Sequence, residues 1–408
     1  MEKKENTFHT LLHGALIAFS LCLGPCVPAM AQDAGPAPQQ YIDFVTGSVA
    51  DKTELLKGLV ISGDTPELVA SIPEFALEFL QQQVPVIGSG SGLRELALAA
   101  IPVVRVSGQH QAALLWGLFD LLDDNQVRVA VLEALSVAGQ SDRRLVSPYL
   151  EGVHTFVAEH LAAGGDDPEP AVVAVELLGQ MADSSSFEVL FRLMDSGVSP
   201  ELDQAVRSAL SAVIPGSQTA LLRHVSQDDY SMAEKYRLLL LVQENDRISP
   251  LFKAELAEKA LSATIIRGED ISGMAPEVIS LQLAAVEQIA DSVWSRAAET
   301  VADYFVVAQE QLRLGLITGG QLLSVVDCLE KLATARSVSA LMEYLGVLNT
   351  DAAQDVASVD QEVLLAVIES LGALGDKAAF DNLLYVTYLP YPETITTAAR
   401  IALAGLKW

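Results

Sequence analysis

Histidine and cysteine are the side chains from which metal sites and nucleophilic active sites are most often built, and this sequence holds few of either. Beyond the N-terminal stretch the histidines are His110, His154, His160 and His224. His154 and His160 stand six positions apart, a spacing that puts them on opposed sides of a helix, whereas helical metal ligands need three or four. Past residue 26 the one cysteine is Cys328, within Val325-Val326-Asp327-Cys328-Leu329. Its acidic neighbours and the absence of a nearby histidine predict a buried, unreactive thiol. Gly88-Ser89-Gly90-Ser91-Gly92 has glycines suited to a phosphate cradle, but no strand pattern precedes it and no Lys-Ser/Thr follows, so it reads as an interhelical loop. The acidic pairs Asp123-Asp124, Asp166-Asp167 and Asp228-Asp229 lack the Asp-x-Asp-x-Asp-Gly spacing of a calcium loop and suit helix caps. The expected inventory is therefore no catalytic, cofactor-binding or metal-binding residue, and a protein that is not an enzyme.

The elements that would position any functional residue are helices. Half of the 408 residues are hydrophobic while only 6% are aromatic, so a core must come from Leu, Val, Ala and Ile, the mixture that close-packed helices use. No run shows a convincing strand alternation. Thr65-Pro66-Glu67 and Ser249-Pro250 each read as a capped helix start with proline at the first helical position. Composition barely changes along the chain, which points to one repeated unit.

The charge balance of 25 basic against 53 acidic residues gives a formal −28. Such a surface repels phosphate backbones and anionic headgroups, so nucleic acid is not an expected partner. A basic protein face would be attracted, and the charge also keeps an apolar-rich chain in solution. Residues 1–31 read as a secretory signal: Lys3 and Lys4 precede the apolar Gly14-to-Leu23 core, and Ala29-Met30-Ala31 offers small residues for cleavage after Ala31. A lipoprotein signal fits less well, because Leu21 precedes Cys22 and Pro25 precedes Cys26. Residues 32–40 (QDAGPAPQQ) read as a linker. Charges such as Arg105, Asp120 and Arg237 interrupt every later apolar segment short of a membrane span. The expectation is an exported chain, periplasmic or secreted, whose single remaining cysteine rules out an intramolecular disulfide.

The repeat is clearest near the end. Leu364, Val367, Ile368, Leu371 and Leu374 form one helical stripe, Gly375-Asp376 supplies a stop and a start, and Phe380, Leu383 and Leu384 carry the next stripe. With Leu371 as anchor, equivalent positions are Leu135, Leu178, Ile214 and Leu332, with weaker matches at Leu98, Leu240, Ile289 and Leu403; successive strong anchors lie 43, 36, 118 and 39 apart. Eleven positions before an anchor stands Asp124, Asp167, Asp203, Asp229 or Asp360, expected to cap each first helix. Two before it stands Glu133, Glu176, Glu287, Glu330 or Glu369.

Asp124-Asn125-Gln126-Val127-Arg128 and Asp203-Gln204-Ala205-Val206-Arg207 resemble the Asp-x-x-Val-Arg opening of HEAT repeats of the bilin-lyase-like subgroup, and Leu371-Gly372-Ala373-Leu374-Gly375-Asp376 resembles their Leu-Gly-x-x-Gly-Asp turn. The resemblance covers residues 93–408 as a repeat array, weak and irregular at 216–320, with 41–92 an N-terminal helical cap. Pro170-Ala171 and Leu364 depart from the Val-Arg pattern. The resemblance implies an all-α protein, an α-solenoid of HEAT-type two-helix repeats wound into a right-handed superhelix whose second helices line a concave face. It places Arg192, Arg223, His224 and Tyr385 near that groove as protein-binding residues. Part of the family is implied to handle bilins, but neither Cys328 nor an exported location suits that chemistry. The function expected is a non-enzymatic scaffold or adaptor that binds other proteins. The alternatives are an enzyme or cofactor-handling protein with a site in 216–320, and a self-associating envelope component.

Overall fold

The computed structural model describes residues 38–88, 90–162, 167–194, 197–265 and 271–407. The expected signal, Cys22, Cys26 and all but the end of the linker lie outside them. The protein is all-α: among the described residues there are 21 α-helices and no strand. No helix among them is long and apolar enough to cross a membrane.

The chain forms two compact units, one comprising residues up to Arg105 together with Ala113–Asp123, the other Val106–Ala112 together with Asp124–Trp408. The first is built from α1 (Gln39–Thr46), α2 (Val49–Lys57), α3 (Glu67–Ala70), α4 (Ile72–Ile87) and α5 (Ser91–Ala100), and α6 (Gln109–Leu121) divides between the two. Phe44, Leu56, Ile72, Leu77, Leu80 and Leu96 form its core, with α5 packed on α2 and α4. Lys52 is buried there, its ammonium 3.4 Å from Val45 O, within reach of Gly47 O and 5.3 Å from the Phe44 ring centre. It neutralises the negative end of α1 where water cannot. Burial lowers the Lys52 pKa, and Asp51 opposes that shift.

The second unit runs through α7 (Asn125–Ser141), α8 (Leu150–Ala162), α9 (Glu169–Met181), α10 (Phe187–Leu193), α11 (Pro200–Val213), α12 (Gln218–Ser226), α13 (Met232–Gln243), α14 (Pro250–Thr264), α15 (Pro276–Asp291), α16 (Ala298–Arg313), α17 (Gly319–Leu332), α18 (Ala335–Gln354), α19 (Gln361–Leu374), α20 (Phe380–Val386) and α21 (Glu393–Gly405). Most of its helices pack on those two places along the chain. α7 meets α9, α9 meets α11, and α13, α15, α17, α19 and α21 follow one another in the same way; α12, α14, α16, α18 and α20 form the companion row. Sequence neighbours α8–α9, α10–α11, α14–α15, α16–α17 and α18–α19 join the two rows. The pattern continues through 216–320, where the sequence register is weakest.

Polar side chains bridge successive hairpins at the same spacing. Gln180 donates to Ser136 O, Gln243 to Ala284 O, Asn245 to Ser211 O, Ser370 to Glu330 and Asn382 to Met342 O, over separations of 44, 41, 34, 40 and 40 positions. Half-buried amides satisfied by a neighbouring hairpin's backbone favour one register, because a slip would leave them unpaired.

Two glycines account for the Leu-Gly pair after the anchors. A Cβ on Gly179 would lie 2.7 Å from Ala209 Cα, and one on Gly372 would lie 2.8 Å from Ala402 Cβ. Neighbouring helices cross there with almost no side chain between them.

The expected caps hold in part. Asp124 accepts from Val127 N and Asp360 from Glu362 and Val363 N at the starts of α7 and α19. Asp167 accepts from Glu169 N one position ahead of the cap. Asp203 is already inside α11, which Ser199 caps, and Asp229 lies before Ser231, which forms a capping box with Glu234. Serine wins where Ser-Pro or Ser-x-x-Glu offers a cap with its own partner. Ser249 caps α14 as expected, whereas Pro66 is itself the N-cap of α3 and Thr65 accepts instead from Ser62 N.

Helix stops differ in cost. Gly375 closes α19 with φ +68°, but Ala182, Val293 and Ala333 occupy the same left-handed region at +48°, +47° and +51°. Val293 completes a Schellman turn on α15, Val293 N donating to Ala290 O and Trp294 N to Ile289 O. A β-branched residue is strained in that conformation. Val293→Gly is expected to raise stability by about 0.5–1 kcal/mol, read as a higher urea midpoint. Gly372→Val is expected to lower stability by about 1–3 kcal/mol through overpacking against Ala402, and an unchanged midpoint would show that α19 and α21 are not in that close contact.

Candidate protein-binding site

Three of the four residues expected at the groove converge on the junction of α10, α12 and α13. Ala182 turns the chain out of α9, and Asp183 accepts from Ser185 N to start the short 3₁₀ segment Ser184–Ser186 that leads into α10. That start places Phe187, Glu188 and Phe191 along the face of α10 that meets His224. α12 ends at Ser226, and a loop carries Tyr230 back over α12 before the Ser231 capping box starts α13.

His224 does not project into a groove; it is only 1% exposed. The Tyr230 ring stacks on it at 3.5 Å and 21°, and Phe191 meets it edge-on at 4.7 Å and 84°. Among the described residues, neither ring nitrogen has a hydrogen-bond partner. Glu188 Oε1 lies 4.0 Å from Nδ1 and accepts instead from the Tyr230 hydroxyl at 3.0 Å, while the buried Glu188 Oε2 has no partner. An orphaned buried donor costs about 1–3 kcal/mol, which the ring contacts must offset.

Burial is the largest influence on these groups. It pushes the His224 pKa down, Glu188 and Glu234 opposing and Lys235 reinforcing the shift. It also raises the Tyr230 hydroxyl, aided by the hydrogen bond to Glu188, while Arg192 and Arg223 act in the other direction. Lys235, 1% exposed, is lowered by burial, and Asp228 opposes. Neutral His224 is the form that fits this environment.

Arg192 in the last turn of α10 and Arg223 in that of α12 are exposed, and both act on Tyr230. They are two cations close enough to act on one half-buried tyrosine, on a chain of formal charge −28. Arginine and tyrosine at a surface suit recognition of an acidic partner. Tyr385, 47% exposed, lies on α20 near the 76% exposed Tyr388; α20 packs mainly on α18 and α21, whereas α10 packs mainly on α11 and α12 on α14. The sequence reading missed Glu188 and Tyr230; the available signal was Glu188 one turn before Arg192.

The other residues weighed for chemistry have structural partners. His154 Nε2 lies 2.9 Å from Ser186 Oγ and His160 Nε2 2.8 Å from Asp167 O, so the two histidines of α8 do serve different neighbours. In the 216–320 stretch, Gln311 donates to Gln282 Oε1 at 2.8 Å and accepts from the Tyr304 hydroxyl at 3.4 Å, three fully buried side chains that join α15 and α16. An open depression of about 640 Å³ lies between α9 and α11, lined by Glu176, Gln180, Glu201, Gln204 and the small residues of the crossing.

No family model matches the chain, and no curated protein matches it. Among solved structures, an engineered protein crystallised by the Northeast Structural Genomics Consortium is similar over 90% of this chain and 98% of its own, at 14% identity and a TM-score of 0.27.

Cys328 is fully buried in α17, and burial together with Asp327 pushes its thiol up to about 12. A thiolate is the reactive form. In the chain from Gln32 onward, maleimide or iodoacetamide at pH 8 is expected to leave Cys328 unlabelled until denaturant unfolds α17, as measured by intact mass. Prompt labelling in native buffer would contradict that packing.

Proposed function

We propose that the chain is a non-enzymatic scaffold of the periplasm or cell envelope that binds other proteins. The observation that carries this reading is the packing of alternate helices in the second unit, α7 on α9, α9 on α11, α13 through α21 and α12 through α20, with polar bridges at the repeat spacing. Such nearest-neighbour packing is how an α-solenoid of two-helix repeats is held together, and it spends apolar burial on a lengthening spine that presents surface instead of enclosing a pocket. The resemblance of the repeat openings to HEAT repeats supports the same reading. The array would be the right-handed superhelix that the resemblance implies, with α10, α12 and α20 among the helices of its concave side. Residues 1–31 would direct export and be cleaved after Ala31.

Arg192, Arg223 and Tyr230 would form the contact surface. A partner that presents an acidic patch gains there what it loses elsewhere on a strongly negative chain. Tyr385 would belong to a separate contact on α20.

The test is capture of partners from the host's envelope extract by tagged chain, with crosslinking mass spectrometry to locate the contacts. Arg192→Glu with Arg223→Glu is expected to reduce recovery of the principal partner by roughly tenfold while helicity is unchanged. The remote reversal Arg400→Glu should leave recovery as it was. Equal recovery by all three chains, or crosslinks only outside α10, α12 and the 227–231 loop, would overturn this surface as the contact.

A further inference from the structure

We propose that the 227–231 loop is a pH-operated lid: a neutral His224 holds Tyr230 down on α10 and α12, and protonation of His224 lifts Tyr230 and opens the loop. The inference requires no partner and stands apart from the scaffold reading.

The loop has fixed ends and one inner anchor. Gln227 N donates to Arg223 O at 3.0 Å, and Ser231 is tied to Glu234 by the capping box of α13. Between them, Tyr230 joins the loop to α10 through its hydroxyl on Glu188 and to α12 through its face on His224. Both contacts pass through groups that answer to the same proton.

In the closed form the imidazole is held by aromatic contacts, since among the described residues neither nitrogen has a partner and the residue is 1% exposed. A proton adds a full charge and a second N–H to a position that water does not reach. Glu188 Oε1, the nearest carboxylate oxygen, is 4.0 Å away and already accepts the Tyr230 hydroxyl. A hydrogen bond to it requires the imidazolium to slide out from the tyrosine stack and compete with that hydroxyl; hydration of the imidazolium requires Tyr230 to lift. Either route breaks the loop's inner anchor.

The surrounding charges are few. From α10 comes Glu188 and from α13 Glu234, both of which favour the cation, while Lys235 of α13 and burial oppose it. Arg223 adjoins His224 on α12, and Arg192 follows Glu188 on α10. Arg237 lies further along α13 and Asp228 within the loop, facing Glu234 and Lys235 respectively. α14 also packs on α12 with Lys253, Glu255, Glu258 and Lys259 as its charged residues, and the charges that move the imidazole are Glu188, Glu234 and Lys235 instead. Burial prevails, so the His224 pKa is lowered in the closed form and ordinary in the open one. Closure is then complete above the ordinary imidazole value near 6.5. It weakens as the pH falls below that value, until the lowered closed-state pKa is reached.

Hydrogen exchange of the full mature chain, followed by mass spectrometry between pH 7.5 and 5.0 and corrected for intrinsic rates, tests this. Protection of the peptide spanning 227–231 is expected to fall roughly threefold or more across the range in the wild type. It should stay flat in His224→Phe, whose ring suits the same aromatic surroundings and carries no proton. A second measurement covers a variant that folds poorly: histidine-selective NMR of the wild-type chain should give His224 a pKa below that of a denatured control. The proposal is overturned if loop protection is independent of pH, if His224→Phe shows the wild-type profile, or if protection rises on acidification because Glu188 Oε2 captures the imidazolium in place. A His224 pKa at or above the denatured value also overturns it.

Discussion

The burial of apolar stripes between alternate helices, as α9 on α11 and α19 on α21, is the constraint on which the second unit depends. A two-helix hairpin built from Leu, Val and Ala has more apolar surface than its own partner can cover, and the next hairpin supplies the remainder. Where that contact is closest, glycine is required: Gly179 faces Ala209 and Gly372 faces Ala402 with no room for a side chain. The polar bridges follow from the same geometry. Once two backbones are this close, a Gln, Asn or Ser of one hairpin reaches a carbonyl or carboxylate of the next, as Gln243 reaches Ala284 O and Ser370 reaches Glu330. Polar side chains thus add direction to an apolar contact and favour one register.

The same constraint explains where the unit tolerates cost. A helix must turn sharply to let its successor lie beside it, and a left-handed residue at the stop makes the turn. Gly375 does so without strain, while Ala182, Ala333 and Val293 accept it. At Val293 the turn also delivers Trp294, whose indole nitrogen donates to Glu258 at 2.7 Å, linking the stop of α15 to α14. The unpaired nitrogens of His224 are a second cost of this kind, accepted in a layer of rings between α10, α12 and the following loop.

How much was legible in advance differs between the fold and the site. Periodicity exposed the helices because a 3.6-residue stripe is a local property, and the anchor spacings of 36, 39 and 43, though not the gap of 118, fall within the 34 to 44 positions over which side chains bridge hairpins. Caps were half legible. Asp124 and Asp360 act as read, but at α11 and α13 the nearby Ser199 and Ser231 took the position, a competition between two good caps that spacing alone does not decide. The site was legible as residue types: Arg192, Arg223 and His224 do belong to one neighbourhood. Their roles were not, because a helical period does not say which side of a short helix the following loop will cover.

The sequence by itself determined that the protein is all-α, where α7, α14 and α19 begin, and that Cys328 is buried, since each follows from local spacing and capping. Only the tertiary structure decided that His224 is inside and Arg223, its neighbour in the chain, outside. Tyr230 folds back over α12 and Phe191 closes from α10, so the burial of one imidazole is set by residues 33 positions before it and six after, contacts whose geometry no local rule contains.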